Sequence, residues 1–264
     1  MPRYFIDTNC LVGLTFFHDR WYHDVKPLYE NNRLYASEAV LYEYCNRDSG
    51  DPSMPDDPSN FDISRDAVAG KYSDIRDELE KKLPRFHREI RRLAMDGLTL
   101  GGVVDAVVDH FEIREQAEPQ IEAFLEEYFE ERALIERQVK TAVGDLVDRI
   151  LYTSKENKES LLSQLTLVDS KYHEMEQTRQ TIEHETDGWI QEADFCILLD
   201  AVRLAQAGTL GKFVSGDSGL LHAEEVTVNR YDLSLIWAEN EFYTDDLVYR
   251  QKESDAALKE ATET

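Results

Sequence analysis

Arg3-Tyr4-Phe5-Ile6-Asp7-Thr8-Asn9 decides how the rest of the chain is read. Tyr4, Phe5 and Ile6 form a short apolar run without alternation, the pattern of a strand buried on both faces of a parallel sheet. Asp7 ends that run, where open α/β sheets place their ligands. Working outward, Leu11 to Phe17 and His23 to Glu30 carry helical spacing. Arg33-Leu34-Tyr35-Ala36 reads as a second strand, and Ser37 fits the N-cap of a helix reaching about Asn46. A strand–helix–strand–helix start predicts an α/β sheet with right-handed crossovers.

The pattern then changes. Asp48 to Ser59 holds three prolines (Pro52, Pro55, Pro58) and no apolar run, so a loop or linker is expected. From about Tyr72 to Thr186 the spacing is helical. Ile75, Leu79, Leu83, Phe86, Ile90 and Leu93 form one stripe, which Pro84 is expected to kink or divide. Gly101-Gly102 sets off Val103 to Phe111, a further stripe runs from Ile121 to Ile150, and Leu161, Leu162, Leu165, Val168, Tyr172 and Met175 continue it. These stripes are packing faces, so the segment predicts a helical hairpin or small bundle, equally suited to a dimerisation arm or a substrate lid. The α/β pattern returns with a helix expected to start at Thr186-Asp187 and to be capped by Gly208. Lys212 to Ser215 and Val226 to Tyr231 are the third and fourth expected strands. Residues 1–50 and 188–250 thus form one discontinuous α/β domain, residues 51–187 a linker plus an all-helical insertion, and 251–264 an acidic tail expected to be disordered.

Four acids sit at the edges of apolar segments: Asp7, Glu43 in Val40-Leu41-Tyr42-Glu43, Asp194 in Ala193-Asp194-Phe195-Cys196-Ile197, and Asp217 after Phe213-Val214-Ser215-Gly216. A carboxylate there is costly unless a metal or donor compensates it. Ile190, Ile197, Leu198 and Ala201 share the helix face of Asp194, so it lies in a core-facing stripe, whereas Asp200 and Arg203 fall on a face open to solvent. Taken singly, Asp7 reads as a helix cap, Glu43 as a partner of Arg47 and Asp217 as a turn aspartate. Together they predict one cation site. Clustered carboxylates suit hard oxygen-seeking cations, Mg²⁺ or Mn²⁺, and the lack of a nitrogen–sulfur ligand set argues against zinc. Such a site can bind a phosphodiester and activate water.

Composition narrows the classes. The chain has 264 residues, with 54 acidic against 29 basic side chains and a formal charge of -25. That charge argues against a broad basic footprint and points to a salt-loving prokaryotic source, since at about 1 M salt the Debye length is only about 3 Å. No apolar run approaches the roughly 20 residues of a membrane span. Met1-Pro2-Arg3 leads directly into the first strand, so a cytoplasmic protein without a signal peptide or membrane contact is expected. Cys10, Cys45 and Cys196 form no CxxC pair and read as buried free thiols. The seven histidines, His18 and His23 among them, read as surface or loop residues without chemistry.

Phe5-Ile6-Asp7-Thr8-Asn9, Ser37 to Glu43, Asp194 to Ala201 and Val214-Ser215-Gly216-Asp217, in this order, resemble the PIN-domain ribonucleases. The resemblance covers about half the chain, residues 1–50 and roughly 188–235. It implies a parallel sheet with helices on both faces, a negatively charged pocket and metal-dependent hydrolysis of RNA, often by the toxin of a toxin–antitoxin pair. By the same resemblance Asp7, Glu43, Asp194 and Asp217 hold Mg²⁺ or Mn²⁺, and Asn9 and Ser215 support the site by hydrogen bonds to a ligand, water or phosphate. The chain departs from the pattern where Ser218-Gly219 replaces a further acid, and in the long Glu43–Asp194 interval. A non-catalytic PIN-like module using the helical arm for a homodimer or protein partner is the alternative. A phosphatase or other α/β phosphotransfer enzyme with Asp7 as nucleophile ranks lower, because that class wants a lysine partner and a second Asp two residues on, where this chain has Asn9.

Overall fold

The structure, a computed structural model, describes residues 2–19, 21–46, 54–55, 57–59, 70–114, 117–186 and 190–238. The tail at 251–264, Arg47 and most of the proline-rich loop lie outside these residues.

Tyr4, Phe5 and Ile6 are buried, and their strand β1 (Arg3–Ile6) is the middle one of five. It pairs in parallel with β2 (Arg33–Ser37) on one side and β4 (Lys212–Ser215) on the other. β3 (Thr166–Val168) adds to β2 and β5 (Ser234–Trp237) to β4, giving the order β3-β2-β1-β4-β5, parallel throughout. Phe5 stands opposite Phe213, their rings edge to face at 5.3 Å. The chain builds outward from β1 to β3, then returns to the other side of β1 for β4. β1 and β4 therefore flank the point where strand order reverses, and their carboxyl ends open the crevice where such sheets bind ligands.

Ten α-helices flank the sheet among the described residues: α1 Thr8–Thr15, α2 Tyr22–Asn31, α3 Glu38–Cys45, α4 Lys71–Asp96, α5 Leu100–Phe111, α6 Glu118–Phe129, α7 Glu136–Gln164, α8 Glu176–Glu185, α9 Glu192–Gln206 and α10 Glu224–Tyr231. They serve two hydrophobic cores. One surrounds the sheet; the other, from Leu79 to Ile150, lies within α4 to α7. Helix α7 joins them. Val139, Val143, Leu146 and Ile150 belong to the helical core and Leu161 to the sheet core. At about 1.5 Å per residue its 29 residues make a rod of roughly 43 Å. The joint is specific: Phe16 stacks on Tyr72 at 5.5 Å, Tyr72 donates to the Leu151 carbonyl at 3.0 Å, and Asn157 donates to the Thr15 carbonyl at 3.2 Å.

Several expectations are corrected. The stretch expected to be helical through Thr186 contributes β3, so the insertion ends before Thr166. Leu165 and Val168 keep a three-residue spacing that fits a helix, and a three-residue strand is too short to show its own period. Val226 to Tyr231 is not a strand but lies in α10, where Val226 and Thr227 are buried and Glu225, Asn229 and Arg230 exposed. Packing outweighs the β preference of these branched residues. Asp232, at φ 54°, ends α10 in the left-handed conformation, and the strand that follows is β5, Ser234–Trp237. Pro84 does not divide α4, although it removes one backbone donor there. Gly101-Gly102 lie inside the first turn of α5. Helix α9 starts at Glu192, not at Thr186, while Gly208 adopts the left-handed φ of 66° expected after its end. No helix among the described residues is long and apolar enough to cross a membrane.

Candidate functional site

Asp7 follows β1 and caps α1. Its Oδ1 accepts from the Cys10 backbone N–H at 2.9 Å. Its Oδ2 accepts from the Ser215 hydroxyl and from the Gly216 N–H at 3.2 Å. The cap and the site are thus one residue, with donors on both oxygens and a lone pair of Oδ1 to spare. Burial nonetheless pushes the Asp7 carboxyl up to about 6, against the opposing pull of these hydrogen bonds.

Ser215, at the end of β4, links two of the acids, since its hydroxyl donates to Asp7 and accepts from the Asp217 N–H at 2.9 Å. Asp217 is the turn aspartate of the next segment, its Oδ1 accepting from the Gly219 N–H at 2.7 Å. Gly216 is required between them: a Cβ there would lie 2.8 Å from the Trp21 ring and 3.0 Å from the Asn9 Cβ. Glu43, in the last turn of α3, accepts from the Thr8 hydroxyl at 2.6 Å, which ties it to the residue after Asp7.

Asp194 stands in the first turn of α9, where the helix dipole favours a carboxylate. Glu192 fixes that turn by gripping Arg179 at 2.9 and 2.5 Å, with the guanidinium 5.2 Å over the Phe195 ring. The Asp194 carboxyl is nevertheless pushed up to about 8. Burial is the largest cause, followed by the negative charge of Asp217, Glu43 and Asp7 and by a hydrogen bond to Asp217. One proton between Asp194 and Asp217 is what such a bond requires.

Asp194 therefore feels the charge of the other three predicted acids, and Asp7 that of Glu43. Ser215 spends its hydroxyl on Asp7 and the Asp217 amide rather than on the ligand, water or phosphate expected of it. Asn9 is exposed at the start of α1, its Cβ beside Gly216, with no hydrogen bond to the acids among the described contacts. Sequence reasoning missed Thr8, whose position directly after Asp7 was the available signal. It also missed the Cys10 and Gly216 amides, which no side chain announces. The donor set is oxygen only and carries surplus negative charge, which fits a hard cation. Among the described residues, however, no three of these side chains are grouped as a ready coordination cage.

Two other expectations change. Asp200 is fully buried, not solvated; it accepts from the Ser170 hydroxyl and from the Lys171 N–H at 2.7 Å, holding the segment after β3. His18 is buried rather than a surface residue, and its Nδ1 has no hydrogen-bond partner among the described residues. It lines a cavity of about 210 Å³ with Ile75, Leu79, Lys82 and Phe111, and burial lowers its pKa to about 4. The three cysteines are free and buried, as expected.

No protein-family model matches the chain, and neither a curated protein nor a solved structure does.

Proposed function

We propose that the chain is a PIN-like, metal-dependent endoribonuclease, with Asp7, Glu43, Asp194 and Asp217 as its acids. What supports this most is Asp194, whose carboxyl is pushed up to about 8 first by burial and then by the charges of Asp217, Glu43 and Asp7, at the switch point of a parallel sheet. Perturbed carboxyl groups in a strand-end crevice are the mark of a site rather than of a scaffold.

The four acids would hold Mg²⁺ or Mn²⁺. Such a cation, when bound, polarises a phosphoryl oxygen and lowers the pKa of water. The chain's own residues do the rest. Ser215, Gly216 and Cys10 orient Asp7 through both its oxygens. Thr8 fixes Glu43 against rotation. Asp194 and Asp217 would give up their shared proton to solvent on holding a cation, and a carboxylate oxygen left off the cation would be placed to accept a proton from water. The experiment is cleavage of diverse RNAs in concentrated salt with Mn²⁺, compared with Asp7→Asn. Intact RNA, and no difference between the two proteins, would sink the proposal.

A non-catalytic PIN-like module, with the helical insertion as its binding arm, is favoured by the lack of a ready cage among the described residues. Calorimetric titration with Mn²⁺ separates the readings: binding that disappears in Asp194→Asn supports the hydrolase, and no heat in either protein supports the module.

A further inference from the structure

In a chain of net charge -25, residues 81–92 of α4 hold six basic side chains (Lys81, Lys82, Arg85, Arg88, Arg91, Arg92) against the single acid Glu89. The neighbouring acids are already engaged. Glu78 and Glu112 hold Lys82 at 3.1 and 3.3 Å, Glu80 lies 3.8 Å from Arg76, Glu136 3.6 Å from Arg91, and Glu89 3.2 Å from His110. Lys81, Arg85, Arg88 and Arg92 are all exposed, and among the described residues no ion pair engages them. At about 100° per residue these four fall within an arc of roughly 60° along about 16 Å of helix. Phe86 and Ile90, with Leu79, Leu83 and Leu93, occupy the opposite side and face the helical core.

We infer that this stripe is an RNA-binding arm which grips the phosphate backbone of the substrate; the inference rests on the reading of the chain as an RNA hydrolase. Three of the four cations are arginine, whose fork matches a phosphate in two hydrogen bonds. Direct contacts of that kind are also the ones least weakened where the Debye length is short. At 3.4 Å per phosphate on a stacked strand, 16 Å covers about five phosphates. About a quarter turn round α4 from the stripe, His87 shares an open cleft of about 660 Å³ with Arg137 and the half-exposed Ile135 at the start of α7, which gives an unstacked base an apolar seat beside one further cation, Lys140 in the same cleft being paired with Glu136. A membrane surface fits less well, because a helix lying in a lipid interface needs its apolar face free, and here that face is buried in protein. The arm is anchored to the candidate site: the packing of Gly70, just before α4, against the Tyr44 and Cys45 backbone leaves no room for a Cβ, which would lie 2.4 Å from it, and Glu43 lies in the same turn of α3.

The test measures binding of a fluorescein-labelled oligouridylate by anisotropy across a KCl series, in EDTA, using the full chain. The comparison is with the combined Lys81→Gln, Arg85→Gln, Arg88→Gln and Arg92→Gln variant, its helix content verified by circular dichroism. Single-stranded contacts contribute a slope of about 0.7 each in log affinity against log salt, so the variant is expected to lose roughly 3 units of slope and at least tenfold in affinity at low salt. A variant with Arg85→Lys, Arg88→Lys and Arg92→Lys keeps most of the slope. Unchanged slope and affinity in the glutamine variant overturn the inference. So does a wild-type dimer that the variant dissociates in sedimentation, which gives the stripe to a second copy, or wild-type binding to phosphatidylglycerol vesicles without binding to the oligonucleotide. RNA binding that depends on the stripe in a protein that cuts no RNA with Mn²⁺ leaves the arm standing and removes the hydrolase. Cutting that proceeds alike in both proteins removes the arm alone.

Discussion

Replacing Asp194 by asparagine is expected to stabilise the metal-free protein at pH 8 and to do so only about a quarter as much at pH 5. The carboxyl is raised from 3.8 to about 8, so the folded chain binds this proton more tightly than the unfolded one. Stability from this group is complete below the unfolded pKa and is lost as pH rises through the folded value, over about pH 4 to 8. Some four pKa units at 1.36 kcal/mol each set a ceiling of about 6 kcal/mol. Because the proton is shared with Asp217 and Asp194 keeps some contact with solvent, about 2–3 kcal/mol is the expected share. Asparagine removes one negative charge and its amide can still donate to Asp217, so that amount is recovered. For a domain of this size it corresponds to a Tm rise of roughly 4–10 °C. Differential scanning fluorimetry in low salt with EDTA, at pH 5 and pH 8, reads the effect. Mn²⁺ is expected to raise the Tm of the wild type at pH 8 and of the variant little. A variant that is less stable at pH 8, or equally shifted at both pH values, would refute the claim that the acids repel one another at a common point.

Ser215→Ala removes the hydroxyl joining Asp7 to the Asp217 amide and is expected to weaken Mn²⁺ binding about 10–100-fold by calorimetry, with a small loss of Tm. Asp200→Ala leaves the Ser170 hydroxyl and Lys171 amide without their acceptor and is expected to lower stability in urea by about 2–4 kcal/mol while leaving Mn²⁺ affinity of the folded protein unchanged. Thiol titration is expected to find Cys10, Cys45 and Cys196 unreactive until denaturant is added, with all three reacting afterwards.

The central part of the sheet was legible because β1, β2 and β4 are continuous apolar runs, a signal that needs no partner to be read. The edges were not. Thr166–Val168 is too short to carry a period, and Val226-Thr227-Val228 has the composition of a strand but is held helical by the burial of Val226 and Thr227. The four acids were legible as charged residues at the edges of apolar runs, whereas Ser215 was singled out only by the family resemblance. Backbone donors such as the Gly216 amide leave no trace in side-chain chemistry. Asp200 was misread because helical spacing gives a direction on a wheel, whereas burial depends on what lies across from it, in this case the Ser170–Lys171 segment.

Because α7 lends its first half to one core and its last turns to the other, the sequence boundary of the insertion is not a boundary of stability. Cutting out residues 71–164 would strip Leu161 from the sheet core along with the bundle. The two cores should melt as one cooperative unit, and amide exchange along α7 should slow uniformly rather than in two steps. A structure that looks assembled from a sheet part and a helical part is, in its folding, indivisible along that rod. Lengthening or shortening the helix by a residue would turn the bundle about its axis by about 100° relative to the sheet, so its length sets where the arm points.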